Sequence, residues 1–212
     1  MAATSKFFAY LERLRWIKRW GLKRNVVEEN VMEHSWQVAT IAHVLAIIHQ
    51  RKFGGEIDPN QVATMALYHD VSEIITGDLP SPIKYHSDRI LSAYRMIEHE
   101  AEAELLGLLP QEFQKDFENI LLHNKVDENV SRYVKAADLI SAFLKCQLEV
   151  NSGNPEFEDA QRAIEDSIRQ LAMPEVDFFM ATFVDSYLLT LDELLQQHDA
   201  ELKNDDNVRK PV

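Results

Sequence analysis

Apolar residues recur at spacings of three and four along almost the whole chain of 212 residues. This period is typical of amphipathic helices, and strands would instead alternate every second residue. Only 6 glycines and 7 prolines interrupt the pattern, too few for a turn-rich β-sandwich. The sequence therefore predicts an all-α protein with one domain over residues 1–200. Residues 201–212 are polar and without periodicity, and we expect a disordered tail there.

Residues that cap or break helices set the expected helix bounds. Asp58-Pro59 is a helix start, and Ser152-Gly153-Asn154-Pro155 is a break. Residues 22–32 and 76–85 are predicted to be irregular, the latter because it contains Gly77, Pro80 and Pro82. The predicted helices cover residues 6–17, 33–51, 58–72, 88–108, 110–122, 128–150, 156–171, 174–183 and 186–198.

The overall charge argues against a polynucleotide partner. The chain has 22 basic and 35 acidic residues, a net charge of -13, and phosphate backbones require the opposite sign. The single cysteine, Cys146, precludes an internal disulfide and fits a reducing compartment. Apolar runs such as Val44–Ile48 are far shorter than the roughly 18 residues of a membrane span. The start of the chain has no signal-peptide pattern. We therefore expect a cytoplasmic protein without a membrane or nucleic-acid partner.

Several polar side chains fall on helix faces that are otherwise apolar. His34 lies on the stripe of the second predicted helix, and His69 projects between inward residues of the third. Asp70 and Glu73 point to the same side as His69, and Asp138 borders the stripe of a later helix. From these residues alone two interpretations stay open. They are hydrogen-bonded core histidines with solvated carboxylates, or a mixed nitrogen and oxygen site for Mn, Fe, Co, Ni or Zn.

Short segments around these residues resemble a known superfamily. The order histidine, histidine-aspartate, aspartate at positions 34, 69–70 and 138 is similar to the signature of HD-domain metal-dependent phosphohydrolases. Over residues 5–195 the chain further resembles their bacterial 5'-deoxynucleotidases, except that Ser81 stands where a threonine is expected. The segments that carry this likeness are Arg19-Trp20, Glu29-Asn30-Val31, Glu33-His34-Ser35, Tyr68-His69-Asp70 with Glu73, and Thr76-Gly77-Asp78-Leu79-Pro80.

The resemblance implies a single HD-domain helical bundle, a homodimer and one divalent transition metal ion per subunit, such as Co or Mn. It implies a metal site formed by His34, His69, Asp70 and Asp138. The implied substrate is a deoxyribonucleoside 5'-monophosphate. Its implied contacts are Arg19, Trp20, His34, Asp70, Asp78, Leu79, Pro80, Ser81 and Asp138.

The resemblance also implies roles for individual side chains, each with a structural alternative. Glu73 would hold or deprotonate the attacking water, or would only orient a histidine. Asp78 would protonate the leaving oxygen as general acid, or would only cap a turn. Arg19 would grip the phosphate, and Trp20 would exclude a ribose 2'-hydroxyl or only anchor the first helix.

Three functional hypotheses follow from the sequence. The first is a 5'-deoxynucleotidase that prefers deoxyribose. The second is another HD-domain phosphohydrolase that acts on a cyclic nucleotide, a nucleoside triphosphate or an alarmone. The third is a metal-binding regulatory protein without activity. The expected ligand and catalytic residues are all present, which disfavours the third hypothesis. Arg19-Trp20 and the 76–81 loop favour the first over the second.

Overall fold

A computed structural model describes residues 4–196 of the chain, and they form an all-α fold. Its helices are α1 (Phe7–Leu11), α2 (Val31–Ile48), α3 (Pro59–Leu67), α4 (Glu73–Thr76), α5 (Ser81–Lys84), α6 (Asp88–Gly107), α7 (Gln111–Leu121), α8 (Glu128–Asn151), α9 (Glu158–Gln170) and α10 (Pro174–Phe183). Short 3-10 turns occur at Glu12–Trp16, His123–Lys125, Pro155–Phe157 and Val184–Leu188, and a π turn at His49–Phe53. The predicted tail at 201–212 lies outside the described residues.

Side-chain caps start the helices that carry the bundle. Asn30 and Glu33 form a capping box that opens α2. Asp58 caps α3 with Pro59 in its first turn, as the sequence predicts. Asp127 caps α8 through the backbone N–H of Asn129. These caps fix where α2, α3 and α8 begin, and therefore which faces they turn inward.

The main core lies where α2, α3 and α8 pack together, joined by α9 and α10. Its centre is formed by fully buried aliphatic side chains, among them Val38, Leu45, Val62, Ala66 and Ile140. A smaller cluster joins the first helix to α6 and α7 through Phe7, Leu105 and Leu121. The described helices confirm the predicted all-α fold, and the domain bounds 1–200 stay a prediction. No helix among the described residues is long and apolar enough to span a membrane.

The predicted third helix is too long. α3 ends at Leu67, residues 68–72 form turns, and Glu73 begins the separate short helix α4. Hydrogen bonds from His69 N to Ala66 O and from Val71 N to Tyr68 O tighten the chain at this point. Residues 58–72 contain no glycine or proline beyond Pro59, so periodicity gave no sign of the stop.

Three other predicted bounds are wrong in detail. The first predicted helix divides into α1 and the 3-10 turn Glu12–Trp16. The predicted 76–85 loop contains α5, which starts after Pro80. In the predicted segment 186–198, the 3-10 turn ends at Leu188, residues 191–196 are helical, and the remainder lies outside the described residues. Residues 22–30 are irregular, as predicted.

The segment between the first helical turns and α2 is closed and anchored. Its ends pair antiparallel at Lys18 and Asn30. Its middle is held by the fully buried carboxylate of Glu149 on α8, which accepts hydrogen bonds from the backbone N–H groups of Val26 and Val27 and from Lys145. Burial raises the pKa of Glu149, but these bonds outweigh it and lower that pKa to about 2. This loop, called here the 17–31 loop, carries Arg19 and Trp20 toward α3.

Candidate active site

His34 lies in the first turn of α2 and is fully buried. Its Nδ1 lies 3.1 Å from Oγ of Ser141 on α8, and the Ser141 hydroxyl donates to Oε1 of Gln37 at 2.6 Å. Since the only hydroxyl hydrogen of Ser141 is used on Gln37, Oγ accepts from Nδ1–H of His34. The hydrogen-bond pattern therefore leaves Nε2 of His34 as a lone-pair donor.

A hydrogen bond to the backbone leaves Nε2 of His69 unprotonated as well. It lies in the turn after α3, and its Nδ1 donates to the carbonyl oxygen of Ala66 at 2.7 Å. Because a carbonyl oxygen can only accept, the proton sits on Nδ1 and Nε2 is free. The Nε2 atoms of both His34 and His69 are buried without a hydrogen-bond partner among the described residues. Buried polar atoms are normally paired, so these two nitrogens point to a missing ligand.

The carboxylates complete this cluster. One oxygen of Asp70 lies 3.1 Å from Nε2 of His69 and 3.5 Å from Nε2 of His34. His34, His69 and Asp70 each present a ligand atom within 4.8 Å of the others. Asp138 on α8 places Oδ1 3.3 Å from Nε2 of His34. The two imidazole nitrogens and the Asp70 carboxylate fit a divalent transition metal ion, while Asp138 lies outside this group of three and its role as a ligand stays a prediction.

The charges in the cluster favour a cation. Burial raises the pKa of Asp70, but the adjacent His69, His34 and Arg19 lower it well below its usual range. Burial raises the pKa of Asp138, but the adjacent His34 and Lys135 lower it well below its usual range. Burial lowers the pKa of His69, but Asp70 and Asp138 raise it overall. Protonation of the neutral His69 ring would place a second proton on Nε2, and a metal ion that binds Nε2 would release this proton.

Arg19 and Trp20 lie beside the cluster on the 17–31 loop. Nη1 of Arg19 lies 3.4 Å from Oδ2 of Asp70, and its Nε donates to Oε2 of Glu29 at 3.1 Å. Trp20 adopts a left-handed backbone with φ of 61°. Its indole N–H donates to the same oxygen of Glu29 at 2.8 Å, and its ring packs 5.3 Å from that of Phe157. Trp20 is therefore held by specific contacts in a strained conformation.

Glu73 and Asp78 bring two more carboxyl groups to this region. Burial and the charges of Asp70 and Asp78 raise the pKa of Glu73 to about 9. Its Oε2 is buried without a hydrogen-bond partner among residues 4–196. Burial also raises the pKa of Asp78, although Arg19 opposes this shift. Both groups interact electrostatically with Arg19 and Asp70, so the structure brings them to the predicted site.

The remaining predicted substrate residues continue from Asp78. Leu79 and Pro80 are half-buried, and Ser81 is exposed at the start of α5. Gly77 precedes them with φ of 70°, a conformation that favours glycine and turns the chain after α4. No side-chain hydrogen bond of the described residues joins Leu79–Ser81 to the histidine cluster. Their contact with a substrate stays a prediction.

Solved structures share the fold of this chain. An HD-domain phosphohydrolase from Listeria innocua superposes with a TM-score of 0.72 at 22% identity, covering 94% of this chain and 98% of that chain. A cyanophage S-2L HD phosphohydrolase bound to dA and one catalytic Zn2+ ion superposes with a TM-score of 0.61 at 17% identity, covering 88% and 99%. At these identities the likeness shows the fold, which is that of the HD-domain phosphohydrolases.

Sequence comparison places the chain within that class. The family model for 5'-deoxynucleotidase YfbR-like proteins matches residues 6–187. A 5'-deoxynucleotidase of Yersinia pseudotuberculosis is 49% identical over 190 residues, covering 90% of this chain and 96% of the relative. One of Vibrio atlanticus is 46% identical over 190 residues, covering 90% and 98%. The chain therefore belongs to the YfbR-like 5'-deoxynucleotidase family, a family of hydrolases.

Sequence reasoning missed the polar residues that support the site. Glu29 holds both Arg19 and Trp20, and Ser141 fixes the tautomer of His34. Glu29 lies in an irregular segment with no periodicity to mark it. Ser141 is a hydroxyl on the apolar stripe of α8, and that position was the signal that could have identified it.

We expect Ser141→Ala to weaken metal binding without unfolding the protein. Without the hydroxyl, Nδ1 of His34 loses its acceptor, and the ring no longer favours the tautomer with a free Nε2. Loss of such a supporting hydrogen bond typically lowers metal affinity by about 10- to 100-fold. Competition with a chelating dye measures the affinity, and circular dichroism monitors folding. Ser131→Ala, at an exposed position of α8, is the control; equal affinities in the two variants would contradict the assigned tautomer.

Proposed function

We propose that this protein is a metal-dependent phosphomonoesterase that hydrolyses deoxyribonucleoside 5'-monophosphates to deoxyribonucleoside and phosphate, and that it prefers deoxyribose to ribose. The observation that carries this proposal is the contact of Arg19 with Asp70 of the histidine cluster, with Trp20 next to Arg19 in the chain. Arg19 lies 3.4 Å from Asp70, so a phosphate bound by the guanidinium would lie close to a metal ion held by the histidine cluster. Family membership supports the same substrate class.

Arg19 is well placed to bind phosphate. Its Nε is used on Glu29 and its Nη1 on Asp70, while Nη2 has no hydrogen-bond partner within the described chain. Asp70 and Glu29 favour the charged guanidinium and keep the pKa of Arg19 high, although burial opposes this. Forked N–H donors match phosphate oxygens in geometry and charge. Arg19 would thus hold the group that deoxyribo- and ribonucleotides share.

We assign the metal to His34, His69, Asp70 and Asp138. A divalent ion at these side chains would supply positive charge that neutralises phosphate oxygens and acidifies a nearby water. Glu73 would hold that water, and the positive charge of the ion would favour the ionised carboxylate, the form that would deprotonate it. Asp78, whose carboxyl retains its proton more readily than an ordinary aspartate, would donate to the leaving sugar oxygen. Leu79, Pro80 and Ser81 would enclose the sugar.

We also propose that the protein is a cytoplasmic homodimer. Several large apolar side chains stay exposed on the surface of one subunit, including Trp36 on α2 and Leu148 on α8. They line a cavity of about 590 Å³ together with Tyr187 and Leu188. Apolar patches of this kind often mark protein interfaces. Sedimentation of the purified protein measures the oligomeric state directly.

The first prediction from the proposed function concerns the substrate class and the metal. Metal-stripped protein should release no phosphate from dAMP, and Co or Mn should restore activity better than Mg. The reason is that two imidazole ligands suit transition metals, while Mg prefers oxygen ligands and keeps its waters. A phosphate-release panel of dAMP, AMP, dATP and cyclic AMP with Co, Mn, Mg and Zn makes the measurement. Preferential hydrolysis of dATP or cyclic AMP would support the other HD-domain hypothesis instead.

The second prediction concerns Glu73. Glu73→Ala should lower kcat by about 100-fold or more while leaving metal affinity nearly unchanged, as expected when a general base or water-positioning group is lost. Metal content and kcat are measured on the same sample. Parallel loss of metal and activity would show that Glu73 is a ligand or a structural residue.

The third prediction distinguishes the residue that selects the sugar from the residue that binds the phosphate. Trp20→Ala should reduce the dAMP:AMP ratio of kcat/KM by about 10- to 100-fold, the range for a contact with an apolar pocket wall. Arg19→Ala should lower kcat/KM for both nucleotides alike, because its contact does not involve the 2' position. An unchanged ratio in folded Trp20→Ala would move sugar selection to Asp78–Ser81.

A further inference from the structure

Glu29 makes two contacts that the proposed mechanism does not use. A single oxygen, Oε2, accepts from Nε of Arg19 at 3.1 Å and from the indole N–H of Trp20 at 2.8 Å. The side chain of Glu29 is only 12% exposed, and so is that of Arg19. Hydrogen bonds to a charged group in such surroundings are stronger than ordinary ones and are screened little by salt.

We propose that Glu29 is a positioning residue that couples phosphate binding by Arg19 to sugar selection by Trp20. The inference rests on the proposed function, in which these two side chains contact the phosphate and the sugar. One carboxylate oxygen then sets the distance and angle between the two binding groups. A nucleotide with its phosphate on Arg19 would meet the indole at a fixed place relative to its 2' carbon.

The backbone supports this role for Glu29. Arg19 N donates to the carbonyl oxygen of Glu29 at 3.0 Å, and the flanking residues Lys18 and Asn30 pair antiparallel. Arg19 and Glu29 are therefore joined twice, once by the backbone and once by their side chains. Asn30 caps α2, whose first turn carries His34. Glu29 is thus fixed relative to the histidine cluster and not only to the loop.

Trp20 needs such a support more than most residues. Its left-handed backbone costs a non-glycine residue free energy, and it persists only where other contacts compensate. Phe157 supports one side of the indole, and Glu29 holds its N–H end. Without Glu29, the ring would keep its packing partner but lose the contact that fixes its direction.

The electrostatics predict a second consequence. Arg19 lies between two carboxylates, Glu29 and Asp70. Removal of the charge of Glu29 would leave Asp70 as the dominant partner and draw the guanidinium toward the metal ligands. Phosphate binding would then weaken for deoxyribo- and ribonucleotides alike.

The test uses Glu29→Met, which keeps the side-chain volume but removes both acceptors, and Glu29→Gln, which keeps one carbonyl acceptor without the charge. We expect Glu29→Met to lower kcat/KM for dAMP by about tenfold or more, as for loss of a hydrogen bond to a charged group, and also to lower the dAMP:AMP ratio. Glu29→Gln should lower kcat/KM for both nucleotides but rescue the ratio, because its amide oxygen still accepts from the indole. Glu28→Met is the matched control, since Glu28 is exposed and contacts Lys18.

A second readout does not depend on activity. Trp16 and Trp36 are exposed, so Trp16→Phe and Trp36→Phe together leave Trp20 as the only fluorophore of this kind without disturbing the core. In metal-free protein of this background, acrylamide should quench Trp20 more strongly after Glu29→Met and not after Glu28→Met. Glu29→Gln should lie close to the parent.

The outcomes separate the two proposals. If the parent protein releases no phosphate from dAMP, the proposed function fails, and the quenching still decides whether Glu29 positions Trp20. Unchanged quenching in Glu29→Met overturns the positioning role, and an unchanged dAMP:AMP ratio overturns the coupling to sugar selection. If Glu29→Met does not fold, Glu29→Gln decides: kcat/KM values equal to the parent, or a ratio that falls with them, overturn the inference.

Discussion

The candidate site depends on two hydrogen bonds that occupy the Nδ1 atoms of His34 and His69. They leave both Nε2 atoms buried with free lone pairs, a costly arrangement unless a ligand satisfies them. The Nδ1–H of His34 donates to Ser141 on α8, and that of His69 donates to the carbonyl oxygen of Ala66 at the end of α3. The packing of α2, α3 and α8 is therefore what brings two prepared imidazoles together. His69 bonds to a carbonyl oxygen in the last turn of α3, so its position depends on the end of this helix at Leu67.

The other half of the site is built without regular structure. The 17–31 loop holds Arg19 and Trp20 through an antiparallel bridge and buried carboxylates, with Glu149 beneath the loop and Glu29 within it. Carboxylates can accept several N–H groups at once, and that capacity replaces the hydrogen-bond ladder that a helix would provide. The proposed specificity of the enzyme thus rests on the least regular part of the chain.

Sequence reasoning predicted the part of the site that lies on or next to helices. His34 and Asp138 stood out because they are polar residues on or beside apolar stripes, and family resemblance identified Arg19-Trp20. It could not predict the end of α3, because no glycine or proline marks it. It assigned no role to Glu29, although the residue belongs to a segment of the family resemblance, since its importance arises from an antiparallel contact between residues ten apart in an irregular segment. The all-α class needed only the period of the apolar residues.

The net charge of -13 has the wrong sign for a phosphate substrate, but distance resolves this conflict. Charges beyond about 8 Å are largely screened at physiological salt, so only groups lining the site matter. There Arg19 faces the carboxyl groups of Asp70, Asp138, Glu73 and Asp78. One guanidinium does not balance a phosphate dianion against these acids, and a divalent ion at the histidines would add two positive charges to the local balance. Metal and phosphate binding should therefore favour each other, and thermodynamic reciprocity requires that each raise the affinity for the other by the same factor.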